Sequence, residues 1–385
     1  MYTIISWLPS RLGNSRPDPW HQPMSGRNHR PNIRGRAAAV QPDNPYLRTQ
    51  RLDDFEHVAE DADYLDSLDR PATEYLDDHS QTIVATNDSP DVSFNYSVNP
   101  YRGCAHGCSY CYARPGHEYL GMSAGIDFET KILVKRRAPE LLRQFLARPQ
   151  WNAETIVFSG VTDCYQPAER EFQLTRGCLA VAVECRQPIG IITKNALVAR
   201  DVDLLQELAA HDAVRVAISV TTLDQSLARV MEPRTSAPAA RLRAIETLSA
   251  AGVPTHVMIG PIVPGLTDSE VPAILKAASE AGAVRSHHTL LRLPSTVQDV
   301  FLDWIRRQRP NHAAKVEAFI RDARGGKLNT TEFGQRMRGT GPLAEQIEQT
   351  FRVFSKRYGL AGESPALNRE AFRPPRIAGG QLPLF

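Results

Sequence analysis

Apolar positions recur along this chain in two rhythms. Short apolar runs alternate with longer stretches whose apolar residues return every three or four positions. The first rhythm predicts strands and the second predicts amphipathic helices. The alternation in Asp91-Val-Ser-Phe-Asn-Tyr-Ser-Val98 predicts a first strand that ends at Asn99-Pro100. Thr155–Ser159 predicts a second strand, with a helix over Ala168–Cys185 after it. Ile189–Thr193 is the third strand and Asp201–His211 its helix. Val214–Val220 is the fourth, with a helix over Ala237–Ala251. Val253–Ile259 is the fifth, with a helix over Ser269–Ala281, and His287–Leu293 is the sixth. Strand–helix alternation at this spacing predicts an α/β fold with a parallel sheet and right-handed crossovers. Six units correspond to a partial, open (β/α)6 barrel. After Pro294 the pattern is helical, over Val297–Arg309, Ala313–Arg324 and Leu343–Tyr358.

The flanks lack such rhythm. Residues 1–50 carry seven Arg against Asp18 and Asp43, and residues 51–93 carry thirteen Asp or Glu against Arg51 and Arg70. A disordered, extended N-terminal region is expected over 1–80, with one short helix at most. Its basic arm reads as a solvated tail, or as an electrostatic contact to nucleic acid. The barrel core is assigned to 90–295, a helical extension to 296–360 and a flexible tail to 361–385. Met24 is an alternative start. The net charge of the 385-residue chain is +2 and points to no particular partner. No apolar run reaches the length of a membrane span, and the N-terminus lacks a basic n-region. A cytoplasmic protein is expected, and its six cysteines fit a reducing compartment.

The densest chemistry lies directly after the first strand, in Asn99-Pro-Tyr-Arg-Gly-Cys-Ala-His-Gly-Cys-Ser-Tyr-Cys-Tyr112. Cys104, Cys108 and Cys111 stand in C-x3-C-x2-C spacing, with Tyr110 before the last. Structural zinc normally takes four protein ligands, and no second Cys pair follows. An iron–sulfur cubane held by three cysteines keeps one iron open to another ligand. The alternative is a zinc or disulfide loop completed by His106 or His117. Those histidines read otherwise as loop residues, or as hydrogen-bonding neighbours that tune a cluster.

Further blocks sit at the predicted strand ends, where parallel barrels keep their chemistry. Ser159, Gly160, Thr162 and Asp163 follow the second strand, and Lys194 follows the third. Ser219 and Thr221 end the fourth, with Glu232-Pro-Arg234 further on. Gly160 would admit a ligand amino group close to the backbone, and Thr162 and Asp163 would offer it oxygen acceptors. Lys194 would meet a carboxylate. Ser219 and Thr221 would offer hydroxyls at the mouth, and Glu232 and Arg234 would face the cavity. Gly260-Pro-Ile-Val-Pro-Gly265 would offer an apolar backbone surface.

The cysteine spacing resembles the signature of the radical S-adenosylmethionine (radical SAM) superfamily. The cysteine loop, Thr162-Asp-Cys-Tyr-Gln-Pro-Ala-Glu169 and Glu232-Pro-Arg-Thr235 together resemble the branch related to spore photoproduct lyase, over about residues 80–360. The resemblance implies a [4Fe–4S] cluster on Cys104, Cys108 and Cys111. It implies S-adenosylmethionine on its open iron and an electron donor such as flavodoxin or ferredoxin. Tyr110, Ser159, Gly160, Thr162, Asp163, Lys194, Ser219, Glu232 and Arg234 are the expected cofactor contacts. Cys164 would return a hydrogen atom to a product radical, or else be a small buried hydrophobe. Cys178 and Cys185, seven apart on one predicted helix, read as core.

The implied substrate is a nucleic acid lesion or modified base. Residues 300–340 carry nine Lys or Arg against four Asp or Glu, a bias that fits phosphate or an ordinary solvated face. The tail Gln381-Leu-Pro-Leu-Phe385 resembles peptides that grip the bacterial sliding clamp, with Pro383 as a departure. Two alternatives stay open. One is a radical SAM enzyme acting on a peptide or small molecule. The other is a non-catalytic, cluster-binding accessory protein recruited through its tail.

Overall fold

The structure, a computed structural model, describes Ile33, residues 35–47 and residues 71–375. The expectations for Met24, for a helix between 51 and 70 and for the Gln381–Phe385 peptide lie outside the described residues.

Ten strands are described: β1 (Glu74–Asp77), β2 (Val84–Thr86), β3 (Tyr96–Val98), β4 (Tyr101–Arg102), β5 (Lys131–Val134), β6 (Ile156–Phe158), β7 (Ile189–Thr193), β8 (Val214–Ser219), β9 (Thr255–Ile262) and β10 (Arg285–Leu290). The main sheet runs β10-β9-β8-β7-β6-β3-β2. Every neighbouring pair from β3 to β10 is parallel, and β2 lies antiparallel on the β3 edge. The six parallel strands are the six expected ones, so the partial, open (β/α)6 barrel stands.

Both faces of the central strands are covered. Ile156, Phe158, Ile189, Val214, Val216, Ile218, Val257 and Ile259 are fully buried. Helices Leu174–Cys185, Val202–Ala209, Pro238–Ala250 and Val271–Glu280 turn one apolar stripe each to the sheet. After the barrel, helices Val297–Gln308 and Pro310–Asp322 build a second core around Phe301 and Trp304. Helix Gly341–Arg357 returns to the main core through Ile347 and Phe351.

Two expectations are corrected. The first strand covers only the last three residues of its predicted run, because Asp91 turns away to the Arg336 side chain and accepts the Gly334 N–H at 2.6 Å. The helix predicted over Ala168–Cys185 breaks at Gln173, whose φ is 50°. Glu169 causes the break: its carboxylate accepts the N–H groups of Thr175 (2.9 Å) and Arg176 (3.1 Å) and so caps a new helix. Within the expected N-terminal region, residues 35–47 are described and pack on the cysteine loop. Ala37, Ala38 and Val40 are buried, and Arg36 donates to the Glu129 carbonyl at 2.6 Å.

A second sheet, β1-β5-β4, brackets the cysteine loop. The chain leaves it at Arg102 and re-enters it at Lys131. Between these points the only regular structure is a 3-10 segment, Arg114–Leu120, and one short helix, Ile126–Thr130. The loop is therefore held by side chains. Arg114 is fully buried and donates to the carbonyls of Cys108 (2.8 Å), Gly125 (3.0 Å) and Ala124 (3.1 Å). The same guanidinium pairs with Glu129 at 2.6 Å, and Glu129 also accepts the Ala38 N–H at 3.0 Å. At Gly107, φ is 64° and an added Cβ would lie 2.5 Å from the Glu129 carboxylate. Only glycine allows the loop to close over this pair.

Removing one member of a fully buried ion pair leaves the other charge without a partner. Arg114→Met is expected to cost about 3–5 kcal/mol in urea-induced unfolding. A loss below about 1 kcal/mol would show that the pair does not hold the loop.

Candidate active site at the barrel mouth

The three cysteines of the loop are brought together beyond the C-terminal ends of the strands. Cys104 and Cys108 are buried and Cys111 is partly exposed. The Cys104 N–H donates to Phe128 O at 2.9 Å, and the Ser109 N–H to Met231 O at 3.0 Å. Gln166 braces the same turn, accepting the Ala105 N–H and donating to Gly103 O, each at 2.9 Å. Burial is the first cause that pushes all three thiols above their ordinary range. Neighbouring negative charge adds to it, from Asp163 and Cys111 at Cys104 and from Glu232 at Cys108. Three thiolates here require positive charge among them, which is what a metal centre supplies. The donor set fits such a centre.

Neither histidine completes a zinc site. His106 points Nδ1 at Asp163 (3.4 Å) and shares Nε2 with the Asn195 amide (3.1 Å). His117 Nε2 lies 2.9 Å from Lys131 O. Among the described residues, no three His, Cys, Asp or Glu side chains close on one point as a single ion would require.

Next to the thiols lies a buried charge relay. Glu232 sits just past the short helix Gln225–Met231 and is 2% exposed. One of its oxygens binds the Tyr110 hydroxyl and accepts from Thr221 at 2.8 Å. The other pairs with Arg241. Lys194 Nζ stands 3.6 Å from the same carboxylate, donates to Gly260 O at 2.6 Å, and lies 5.7 Å from the Tyr110 ring centre. Burial alone would raise Glu232, but Arg241 and Lys194 outweigh it and hold the carboxyl at about 2. Tyr110, Lys194, Thr221 and Glu232, expected as separate contacts, thus form one group.

Arg241 was not foreseen. It occupies the apolar stripe of helix Pro238–Ala250 with Ala244, Ile245 and Leu248. It donates to Ser219 O at 2.9 Å and Ser236 O at 2.7 Å. The available signal was a charge at a core position, which needs a buried partner.

The block after β6 is turned inward onto the protein. Asp163 accepts from Thr193 Oγ1 and from the Lys194 N–H, each at 2.8 Å, and from the Tyr165 N–H at 2.9 Å. Against the effect of burial, His106 and these donors hold it below the ordinary carboxylate range. Thr162 donates to Tyr101 O at 2.7 Å, and Ser159 Oγ accepts the Cys164 N–H at 2.8 Å. At Gly160 an added Cβ would lie 2.6 Å from Ser97 Cβ, so the glycine answers to packing against β3. Ser219 is 3% exposed at the end of β8.

Two expected residues do not join this group. Arg234 is exposed and reaches Gly35 O (3.3 Å) and Thr73 Oγ1 (3.4 Å), because the chain reverses after Glu232. Cys164 has no exposure and packs in the main core with Phe158, Leu174 and Cys178. A hydrogen-atom donor must touch the substrate radical, and this thiol is walled off, as the small-hydrophobe reading had it. Cys178 and Cys185 are core residues, as expected.

Two experiments check these assignments. Glu232→Gln should lower stability at pH 7 by about 3 kcal/mol. Because the folded Glu232 value lies below 4.5, its stabilisation is complete above that pH and fades toward pH 2. Denaturant midpoints of wild type and variant should therefore converge as pH falls through this window, and parallel curves would count against the relay. Separately, Gly160→Ala should destabilise by about 1–3 kcal/mol. Ser97→Gly should recover most of that loss if packing is the cause.

Comparison with known proteins agrees with this geometry. The sequence pattern described as the Radical SAM superfamily matches residues 98–278. An uncharacterised protein of Mycobacterium tuberculosis strain H37Rv is 38% identical over 242 residues, covering 62% of this chain and 71% of the relative. One from Methanocaldococcus jannaschii is 30% identical over 175 residues, covering 46% of this chain and 63% of the relative. Among solved structures, spore photoproduct lyase complexed with dinucleoside spore photoproduct aligns at TM-score 0.54 and 14% identity, covering 74% of this chain and 79% of the lyase. That last likeness is one of fold. The matched span contains all three cysteines and the Lys194–Glu232 group, and the chain belongs to the radical SAM superfamily.

Proposed function

We propose that Cys104, Cys108 and Cys111 hold a [4Fe–4S] cluster with one iron left to S-adenosylmethionine, and that the substrate is a nucleic acid lesion or modified base. The observation that carries this reading is the set of three thiols, two buried and one partly exposed, beside histidines already committed elsewhere. The chemistry that such a centre supplies when bound is reductive cleavage of S-adenosylmethionine to methionine and a 5′-deoxyadenosyl radical.

The chain's own part is orientation and exclusion of water. Lys194 offers a positive charge for the methionine carboxylate at the cluster side of the mouth. Glu232 and Arg241 keep that ammonium and the Tyr110 hydroxyl in place, which is a positioning role. Asp163, Thr162, Ser159 and Gly160 shape the turn after β6 through internal bonds. Ser219 and Thr221 border the space where a ribose would lie. Ala37 and Tyr110 pack with Cys108 on the flank of the loop and shield it from solvent.

The substrate class is supported by the fold shared with the lyase, some of whose structures hold a dinucleoside spore photoproduct, and by the basic C-terminal segment. A base in duplex would have to leave its stack, at a cost of a few kcal/mol.

The test is anaerobic. Protein reconstituted with iron and sulfide, then reduced with dithionite, should release 5′-deoxyadenosine from S-adenosylmethionine. The Cys104/Cys108/Cys111→Ala triple variant should release none. No deoxyadenosine from wild type carrying a full, reducible cluster would overturn the catalytic reading in favour of an accessory role.

A further inference from the structure

Beyond the last barrel strand the chain gathers three arginines from three segments. Arg292 follows β10 by two residues, Arg324 follows helix Pro310–Asp322, and Arg336 lies on the loop after it. Arg324 is 4% exposed. Its Nε donates to Leu291 O at 3.1 Å, and Nη2 reaches the same carbonyl. Its Nη1 is buried with no partner among the described residues. Arg292 places Nη1 3.3 Å from Met337 Sδ, a weak acceptor, and its Nε is likewise buried without a partner. Two guanidinium N–H groups, on arginines close enough to repel one another, are thus buried without a hydrogen-bond partner among the described residues.

The charge balance is as uneven as the hydrogen bonding. Asp91 is the carboxylate acting on Arg292. It is already held by Arg336 and by the Gly334 N–H. After burial, repulsion from Arg336 at Arg292 and from Arg292 at Arg324 lowers both guanidiniums. An anion relieves that repulsion and supplies the acceptors that both N–H groups lack.

The position fits the reaction. Arg292 lies over the ring of Tyr112 at 5.8 Å, and Tyr112 directly follows Cys111. Tyr112 is 49% exposed and donates to Gly160 O at 2.9 Å, so it forms an open aromatic rim at the mouth. A flat ring beside paired guanidiniums suits a group that is planar at one end and anionic at the other.

We propose that Arg292 and Arg324 form a phosphate subsite at the barrel mouth, with Tyr112 as the adjoining platform for a base. This rests on the nucleic acid reading above and names the part of the substrate that the site grips. The shared chemistry is a phosphate group, either the phosphodiester of a strand or the phosphate of a small molecule. Arg336, bound to Asp91 and Ser89, occupies the carboxylate that would otherwise pair with Arg292.

The test measures binding to the full chain. A fluorescein-labelled single-stranded oligonucleotide is titrated at several salt concentrations against wild type, Arg292→Gln and Arg292→Lys, with thermal melts confirming folding. Arg324 is left intact because it also braces the Leu291 carbonyl. Arg292→Gln is expected to weaken binding about 10-fold. It should also lower the slope of log K against log salt by roughly 0.7, one phosphate contact on a single strand. Arg292→Lys should keep the slope and lose part of the affinity. Wild type that binds the strand while Arg292→Gln matches it in affinity and slope would overturn the subsite and leave the nucleic acid reading standing. Wild type that binds no strand would remove that reading, and pyrophosphate in a calorimeter then decides the subsite. Pyrophosphate binding lost in Arg292→Gln supports a phosphorylated small molecule, and no binding to wild type overturns the proposal.

Discussion

The buried pair of Arg114 and Glu129 is the constraint on which the mouth of this barrel depends. A loop of nearly thirty residues with little regular structure carries the three thiols, and its backbone carbonyls need donors. One guanidinium supplies them, and one carboxylate fixes that guanidinium while holding the N-terminal strap at Ala38. Such a pair adds little stability over an apolar replacement, but each member makes the other indispensable. What it contributes is a single geometry for Cys104, Cys108 and Cys111.

The Glu232–Arg241 pair does the same work on the opposite wall. Glu232 gathers a phenol, a hydroxyl, an ammonium and a guanidinium from four different parts of the chain. Low dielectric strengthens each of these contacts and forbids leaving any of them unmade. The loop and the wall meet at Tyr110, the residue before the last cysteine, so the position of the thiols and the position of the Lys194 ammonium are mechanically linked.

The barrel was legible in the sequence because periodicity records burial. β7 matched its predicted bounds, and every barrel strand was found. The cysteine loop was legible because its spacing is rare. The small sheet β1-β5-β4 was missed because two- to four-residue strands carry too few alternations to register. The roles within the candidate site were read less well, since a strand-end polar residue has the same signature whether it faces a ligand or a neighbouring backbone. Asp163 and Thr162 proved to be spent on Lys194 N–H and Tyr101 O, and Cys164 on the core. Arg114 and Arg241 went unread because their partners are distant in sequence or visible only as a charge on an apolar stripe.

The contact of Asp91 with Arg336 has a consequence for assembly. It ties the edge beside β3 to the loop that pairs with the end of β10 through Leu290 and Met337. The two residues are 245 positions apart. Closing so long a loop in an unfolded chain costs on the order of 5 kcal/mol. The contact therefore relies on the strands between to hold its two ends within reach.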